Sequence, residues 1–339
     1  MLNIHENKIF VKQWKRKFVS KIKKLYLRHN LSGTGIYIYS RINLTGESFM
    51  TEKNRFTAPF TGEAVIEEKS KAAGLIRDFI REKLSGDPGA WLDFNFCSLC
   101  DSEKYGCPDR QFDCDDTEIM RAVYVLLWAG YFPDLNFDNL GSGRLYRGDT
   151  LNTFHTMFGR EIADRPGFYA GLECYDPDDS LREKVRIFRR RAARLGNYTV
   201  LPNLSVNSDT LNTWRGCSHL RDYFDRFLAQ VQAALTGKDC DSELQALMDK
   251  NVFFFKHFQG DEGFARFAEI SLFHDYFSKA EEKYPQIAEI FRMNYHWFRP
   301  DDRESYFEAA HLYLEKAEEI IANRTKNMLS HIILTPGIC

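Results

Sequence analysis

No run of apolar residues in this 339-residue sequence is long enough to cross a bilayer, which excludes a membrane-spanning helix. There is no low-complexity tract and no repeat of solenoid period, so neither a linker protein nor a stacked-repeat architecture is expected. The first thirty residues lack the apolar core and small-residue cleavage site of a secretory signal, and the chain is expected to remain cytoplasmic. In that compartment the eight cysteines are expected to be thiols or metal ligands. Catalytic signatures are missing as well: the nine histidines show no HExxH or other ligand spacing, and no reaction can be read directly. What is plentiful is core material. With 44% hydrophobic residues, 28 Phe and 16 Tyr, the chain can bury a sizeable interior, and a disordered composition is excluded.

The formal net charge of -2 conceals an asymmetry. Residues 1–30 carry nine Lys or Arg against one Glu, leaving 37 basic and 47 acidic side chains in the remainder. Within this arm Val11, Trp14, Phe18, Ile22 and Leu25 recur at helical spacing, with Lys12, Lys15, Arg16, Lys23 and Lys24 around the rest. Such a helix suits an anionic surface, and equally suits docking on its own protein with a solvated outer face. The expected organisation is a basic amphipathic arm with a short strand region over 1–49 and a mainly helical body over 50–339.

Alternation in GTGIYIYSRINLTGESF suggests one or two short strands, and GEAVIEEKSKAAGLIRDFIREKL reads as a helix ended by Gly86 and Pro88, with a boundary near 88. After a cysteine-rich loop, helical spacing at Ile119, Val123, Leu126 and Leu127 predicts a helix over 117–131, followed by a loop from 130 to 147. A further helix is expected to start at Asp149. Leu181, Val185, Phe188, Ala192 and Leu195 mark another stripe, and Tyr198 to Leu201, closed by Pro202, is the best strand candidate. Helices are expected at 218–236, 241–255, 262–279, 284–297 and 302–325. The fold class is mainly α, an α+β arrangement with a small strand component.

One short pattern occurs twice. Residues 148–154 read GDTLNTF and residues 208–214 read SDTLNTW. The plain reading is that Asp149 and Asp209 each cap a helix. The functional reading brings the two helix starts together near Arg194 and Arg215, with Asn152 and Asn212 alongside and Asn197 and Asn203 as a wall, forming an anion-attracting hollow.

The segments WLDFNF, GDTLNTFHTMFG, LGNYTVLPN, LNTWRG and RDYFDRFL appear in the order seen in a bacterial family known only as a domain of unknown function. The chain resembles that family over roughly residues 91–277, with weaker similarity beyond. The resemblance implies a predominantly helical domain with a few strands and brings no catalytic residues. The chain departs from the family in its basic first half-hundred residues and in cysteines where a Gly/Asp/Pro-rich loop is expected. LGNYTVLPN is also faintly similar to the strand entering the second half of HNH-type nuclease domains. The His dyad of those nucleases is missing, and Asp149, His155, Asn197, Asn207 and Asp209 would have to hold the metal and activate water.

Cys97, Cys100, Cys107 and Cys114 follow the pattern C-x2-C-x6-C-x6-C. Four thiolates satisfy tetrahedral zinc, and a two-residue spacer lets the first pair clasp one metal, so one structural zinc is one reading. Thiols filling small apolar spaces is the other. Phe96, Tyr105 and Phe112 could stack bases, but Asp101, Glu103, Asp109, Asp113, Asp115 and Asp116 oppose phosphate binding there. Arg186, Arg189, Arg190, Arg191 and Arg194 precede the Gly-Asn turn, either as a phosphate-recognising set or as a solvated face paired with acids such as Glu183. The leading expectation is binding of a phosphate-bearing partner, nucleic acid or nucleotide, through 186–215 and the basic arm. A protein-interaction or inhibitor module in a mobile-element or defence setting, and a divergent metal-dependent nuclease, are the alternatives.

Overall fold

A computed structural model describes residues 63–107, 114–131, 145–151, 180–215, 224–277, 303–335 and 338. All of them belong to one unit, Pro59–Ile338. The basic arm, the expected strands within 33–49 and the expected helix 284–297 lie outside the described residues.

Helix α1, Glu63–Lys83, buries Val65, Ala72, Ala73, Ile76, Phe79 and Ile80, a stripe at three- and four-residue spacing. It stops where Ser85 and Gly86 turn to positive φ, 52° and 74°, and Gly86 N donates back to Ile80 O at 2.9 Å. That six-residue return satisfies a carbonyl the helix leaves open, as the Schellman motif does. Asp87 then caps the turn Pro88–Asp93 by accepting from Gly89 N at 2.9 Å. No domain boundary falls near residue 88, since both sides belong to the same unit and the turn packs on the last helix.

Helix α2, Glu118–Trp128, begins at Thr117, whose hydroxyl accepts from Met120 N. Every residue from Ala122 to Trp128 is buried, together with Ile119 and Met120, so α2 is the central helix rather than a surface one. It packs against α1. Strands β1, Leu145–Asp149, and β2, Tyr198–Pro202, pair antiparallel with Leu145 opposite Pro202 and Asp149 opposite Tyr198. All five residues of β2 are buried. The mainly helical class with a small strand component therefore holds for the described residues.

Helix α3, Ser180–Arg191, buries Leu181 and Phe188, and leads through the tight turn Leu195–Asn197 into β2. Helices α4, Phe224–Leu235, α5, Ser242–Lys250, and α6, Gly260–Ile270, build the second half. The expected single helix over 241–255 breaks at Asn251. Its side chain bridges to Leu204, donating to its carbonyl and accepting from its N–H, each at 2.9 Å, while the same amide donates to Leu247 O of α5 at 2.8 Å. Helix α7, Arg303–Leu334, runs nine residues beyond the expected end at 325. At 1.5 Å per residue its 32 residues span about 48 Å. It buries Tyr313, Ala317, Ile320, Ile321, Arg324, Met328 and Ile332, and touches the 195–197 turn, α3, the 88–93 turn, α2 and the turn at His274–Tyr276.

The core is largely aromatic. Phe79 meets Trp91, Phe94 and Tyr105 within 5.1–5.5 Å, and Phe96 carries that cluster to Tyr198 on β2. A second cluster joins Phe224, Phe254, Phe258, Phe267, Phe273 and Tyr276. Among the described residues no helix is long and apolar enough to cross a membrane.

Candidate functional site

The turn Leu195–Asn197 is buried at all three residues. Asn197 is fully buried; its Oδ1 accepts from Thr150 Oγ1 at 2.8 Å and Leu151 N at 3.0 Å, and its Nδ2 donates to Ala192 O at 2.8 Å. Thr150 in turn receives the hydroxyl of Tyr276, which burial pushes up to about pKa 12. Gly196 N donates to Thr325 Oγ1 at 2.9 Å. A Cβ at position 196 would stand 2.2 Å from Ile321 O, so only glycine lets α7 approach this closely.

Arg324 of α7 closes the junction. It is fully buried, and its guanidinium donates to four main-chain carbonyls: Gly196 at 2.7 Å, Tyr198 at 2.8 Å, and Ser271 and Leu272 each at 3.0 Å. The group also lies over the Phe273 ring, 4.9 Å from its centroid. Burial lowers its pKa, yet a guanidinium stays charged across the physiological range. Sequence reasoning missed Arg324. The available signal was a charge on the apolar stripe, one turn beyond Ile320 and Ile321.

Neither Asp149 nor Asp209 caps a helix. Asp149 is the last residue of β1, opposite Tyr198, because the preceding residues find hydrogen-bond partners in β2. In the second copy the cap is Thr210, whose hydroxyl accepts from Thr213 N, and it opens the helical residues Leu211–Thr213. Asp209 sits one residue earlier, exposed and bridged to Val206 across a tight turn in which Asn207 and Ser208 have positive φ. Asn152, in the first copy, lies outside the described residues, as does His155. Asn203 is half-buried. Arg215 is 3% exposed, donates to Asn212 Oδ1 at 2.6 Å and lies 5.2 Å from the centre of the Phe224 ring.

Arg194 stands elsewhere, at a hollow of about 410 Å³ between the end of α3 and α7. Its walls include Asp93, Arg191, Arg194, Glu315, Glu318 and Glu319. Four ion pairs surround it: Arg194 with Asp93 at 2.8 Å, Arg191 with Glu318, Lys184 with Glu315 at 2.6 Å, and Lys316 with Glu319 at 2.8 Å. Arg191, at the end of α3, is thus met by Glu318 of α7, and Arg194 by Asp93 of the 88–93 turn.

Of the four expected zinc ligands the fold brings Cys97 and Cys114 together, with their sulfurs 3.4 Å apart. Cys97 is exposed, Cys100 and Cys114 half-buried and Cys107 buried. Among the described residues no group of three or more His, Cys, Asp or Glu side chains is gathered in a way that could hold a metal ion. Asn95 fixes the first thiol by accepting from Cys97 N at 2.9 Å while its amide donates to Arg190 O at 2.8 Å. The hydroxyl of Tyr198 donates to Cys114 Sγ at 2.9 Å. Burial, with the neighbouring Cys114 second, holds that hydroxyl well above the ordinary tyrosine pKa.

Residues 177–328 match the model of a family of unknown function, DUF6994. The resemblance to an uncharacterised family holds for that stretch, which runs from just before α3 through most of α7. Its bounds differ from the expected 91–277: the match reaches on to Arg324 and leaves WLDFNF and GDTLNTF outside. No curated protein and no solved structure matches the chain.

Proposed function

We propose that the protein binds a phosphate-bearing partner, nucleic acid or nucleotide, at the hollow between α3 and α7, with Arg191 and Arg194 as the recognising groups. The observation that supports this is that two guanidinium groups three residues apart line one hollow and are already oriented by carboxylates, Glu318 and Asp93. A phosphate group offers the same paired oxygens as a carboxylate with more charge, so it can replace them at the guanidinium fork. The basic arm, residues 1–30, would add salt-dependent attraction to the same partner.

The test is fluorescence anisotropy of the full chain with a labelled single-stranded oligonucleotide, and competition by ATP. Arg191→Ala with Arg194→Ala is expected to weaken binding at least tenfold, whereas Asp93→Asn with Glu318→Gln, which removes the competing carboxylates, is expected to tighten it. Binding indifferent to both pairs refutes the reading.

A protein partner is the second reading, favoured by the exposure of the carboxylates. The side chain of Asp93 is 84% exposed and that of Glu315 63%, against 19% for Arg194, so a basic peptide meets acid first. The same Asp93→Asn, Glu318→Gln variant separates the two, since it weakens capture of a lysine-rich peptide and strengthens capture of an oligonucleotide.

A further inference from the structure

The pair Cys97–Cys114 is not accounted for by the proposed binding site. The two residues are 17 positions apart in the chain, and each is placed by its own contacts. Cys97 opens the turn Phe96–Leu99 under the Asn95 cap, and Cys114 opens the turn Cys114–Asp116, whose carbonyl receives the Thr117 hydroxyl at 3.0 Å. Their sulfurs meet at 3.4 Å, so a disulfide needs them to close by only about 1.4 Å. The two thiols also differ in the ways a peroxide-reactive pair requires. Cys97 is exposed to dissolved oxidant, while Cys114 is half-buried and receives a hydrogen bond from the Tyr198 phenol at 2.9 Å. That donor holds the Cys114 sulfur in place facing Cys97.

We propose that Cys97 and Cys114 form a peroxide-responsive modification site, with Cys97 the attacked thiol, Cys114 the resolving thiol and Tyr198 the positioning residue. In the first step the Cys97 thiolate attacks one oxygen of hydrogen peroxide, the O–O bond breaks, and hydroxide leaves to be protonated to water. Cys97 is then a sulfenic acid. In the second step the Cys114 thiolate attacks the Cys97 sulfur; the S–S bond forms, the S–O bond breaks, and the departing hydroxide takes up a proton as a second water. Two thiols and one peroxide become one disulfide and two waters, and the two electrons lost by sulfur reduce the peroxide. The bond ties the 96–99 turn to the start of α2 beside β2, and takes from Tyr198 its thiolate acceptor.

The pairing is the sharp part of the inference, because Cys97 and Cys100 are closer in sequence and share one turn, in which Cys100 N donates to Cys97 O at 3.3 Å. Full-length protein purified under reductant is assayed for zinc, desalted, treated with graded hydrogen peroxide, alkylated and mapped by mass spectrometry without reduction. The expected result is a mass loss of two hydrogen atoms and a dominant peptide joining Cys97 to Cys114, restored to thiols by dithiothreitol. Tyr198→Phe is expected to slow closure several-fold and to let a sulfenic-acid trap such as dimedone accumulate on Cys97. The wild-type map decides the matter even where a variant folds poorly. A dominant Cys97–Cys100 link, a link from either residue to any other cysteine, oxidation of Cys97 without cross-linking, or one equivalent of zinc shielding both thiols each overturns the proposal.

Discussion

Replacing Arg324 by Met keeps a long apolar stem and removes the guanidinium from its four carbonyls. Each bond from a charged donor contributes about 1.5–3 kcal/mol, while stripping water from the buried cation costs several kcal/mol. Removing the guanidinium also removes its desolvation cost, but it leaves the carbonyls of Gly196, Tyr198, Ser271 and Leu272 buried with less to bond, at about 1–3 kcal/mol each. The loss expected from breaking such a buried polar network is about 3–5 kcal/mol, a large share of the 5–15 kcal/mol that holds an ordinary domain together. Urea unfolding followed by tryptophan fluorescence reads it directly. With an m-value of about 3 kcal/mol/M the midpoint falls by about 1–1.7 M. Arg324→Lys is the discriminating control. An ammonium keeps the charge but gathers its donors at one point, so it cannot span carbonyls from positions 196, 198, 271 and 272, and it should lose at least as much. A Met variant within about 1 kcal/mol of wild type, or a Lys variant that restores the midpoint, would refute the claim that fork geometry makes this residue a clamp.

Two further outcomes follow from local geometry. Gly196→Ala sets a Cβ 2.2 Å from Ile321 O and 2.5 Å from Thr325 N, both backbone atoms that cannot step aside alone, so α7 must shift and thermal unfolding should show a loss of about 3 kcal/mol or more. Glu82 takes hydrogen bonds from Lys104 on both oxygens, then Tyr105 and Arg81, and these hold its carboxyl at about pKa 2 instead of 4.5. A depressed carboxyl pKa contributes stability above about 4.5 that is lost as pH falls toward 2. Glu82→Gln should therefore differ from wild type in unfolding midpoint at pH 7 and converge with it by pH 2.

The helices α1, α2 and α3 and the strand β2 were legible because the signal for each is local: apolar spacing, a cap such as Thr117, a stop such as Gly86. The partner of β2 was not. Leu145–Asp149 carries Arg147 and Gly148 and alternates poorly, and only pairing with residues some fifty positions later makes it a strand. Its final Asp149-Thr150 then mimics a helix cap. The two aspartates of the doubled motif misled for the same reason, since Asp149 serves a strand end and Asp209 a tight turn. Asn197 was read as a surface wall residue, whereas the buried turn around it needs three internal hydrogen-bond partners, and an amide supplies both donor and acceptor. The cysteine spacing suggested a four-sulfur shell, yet which sulfurs meet depends on how the 96–99 turn and the start of α2 are packed, a tertiary matter.

The clamp on the 195–198 segment also imposes a schedule on synthesis. Arg324 lies 128 positions after Gly196, the carbonyl it binds. At 5–20 residues per second a ribosome needs about 6–26 s to add that stretch, far longer than local helices take to form. Through that interval α1, α2 and the β2 turn are translated but not yet covered by the helix that completes their packing, and their aromatic side chains stand open to water. The nascent chain is thus expected to bind holding chaperones until residue 324 has cleared the exit tunnel, and to release them once α7 docks.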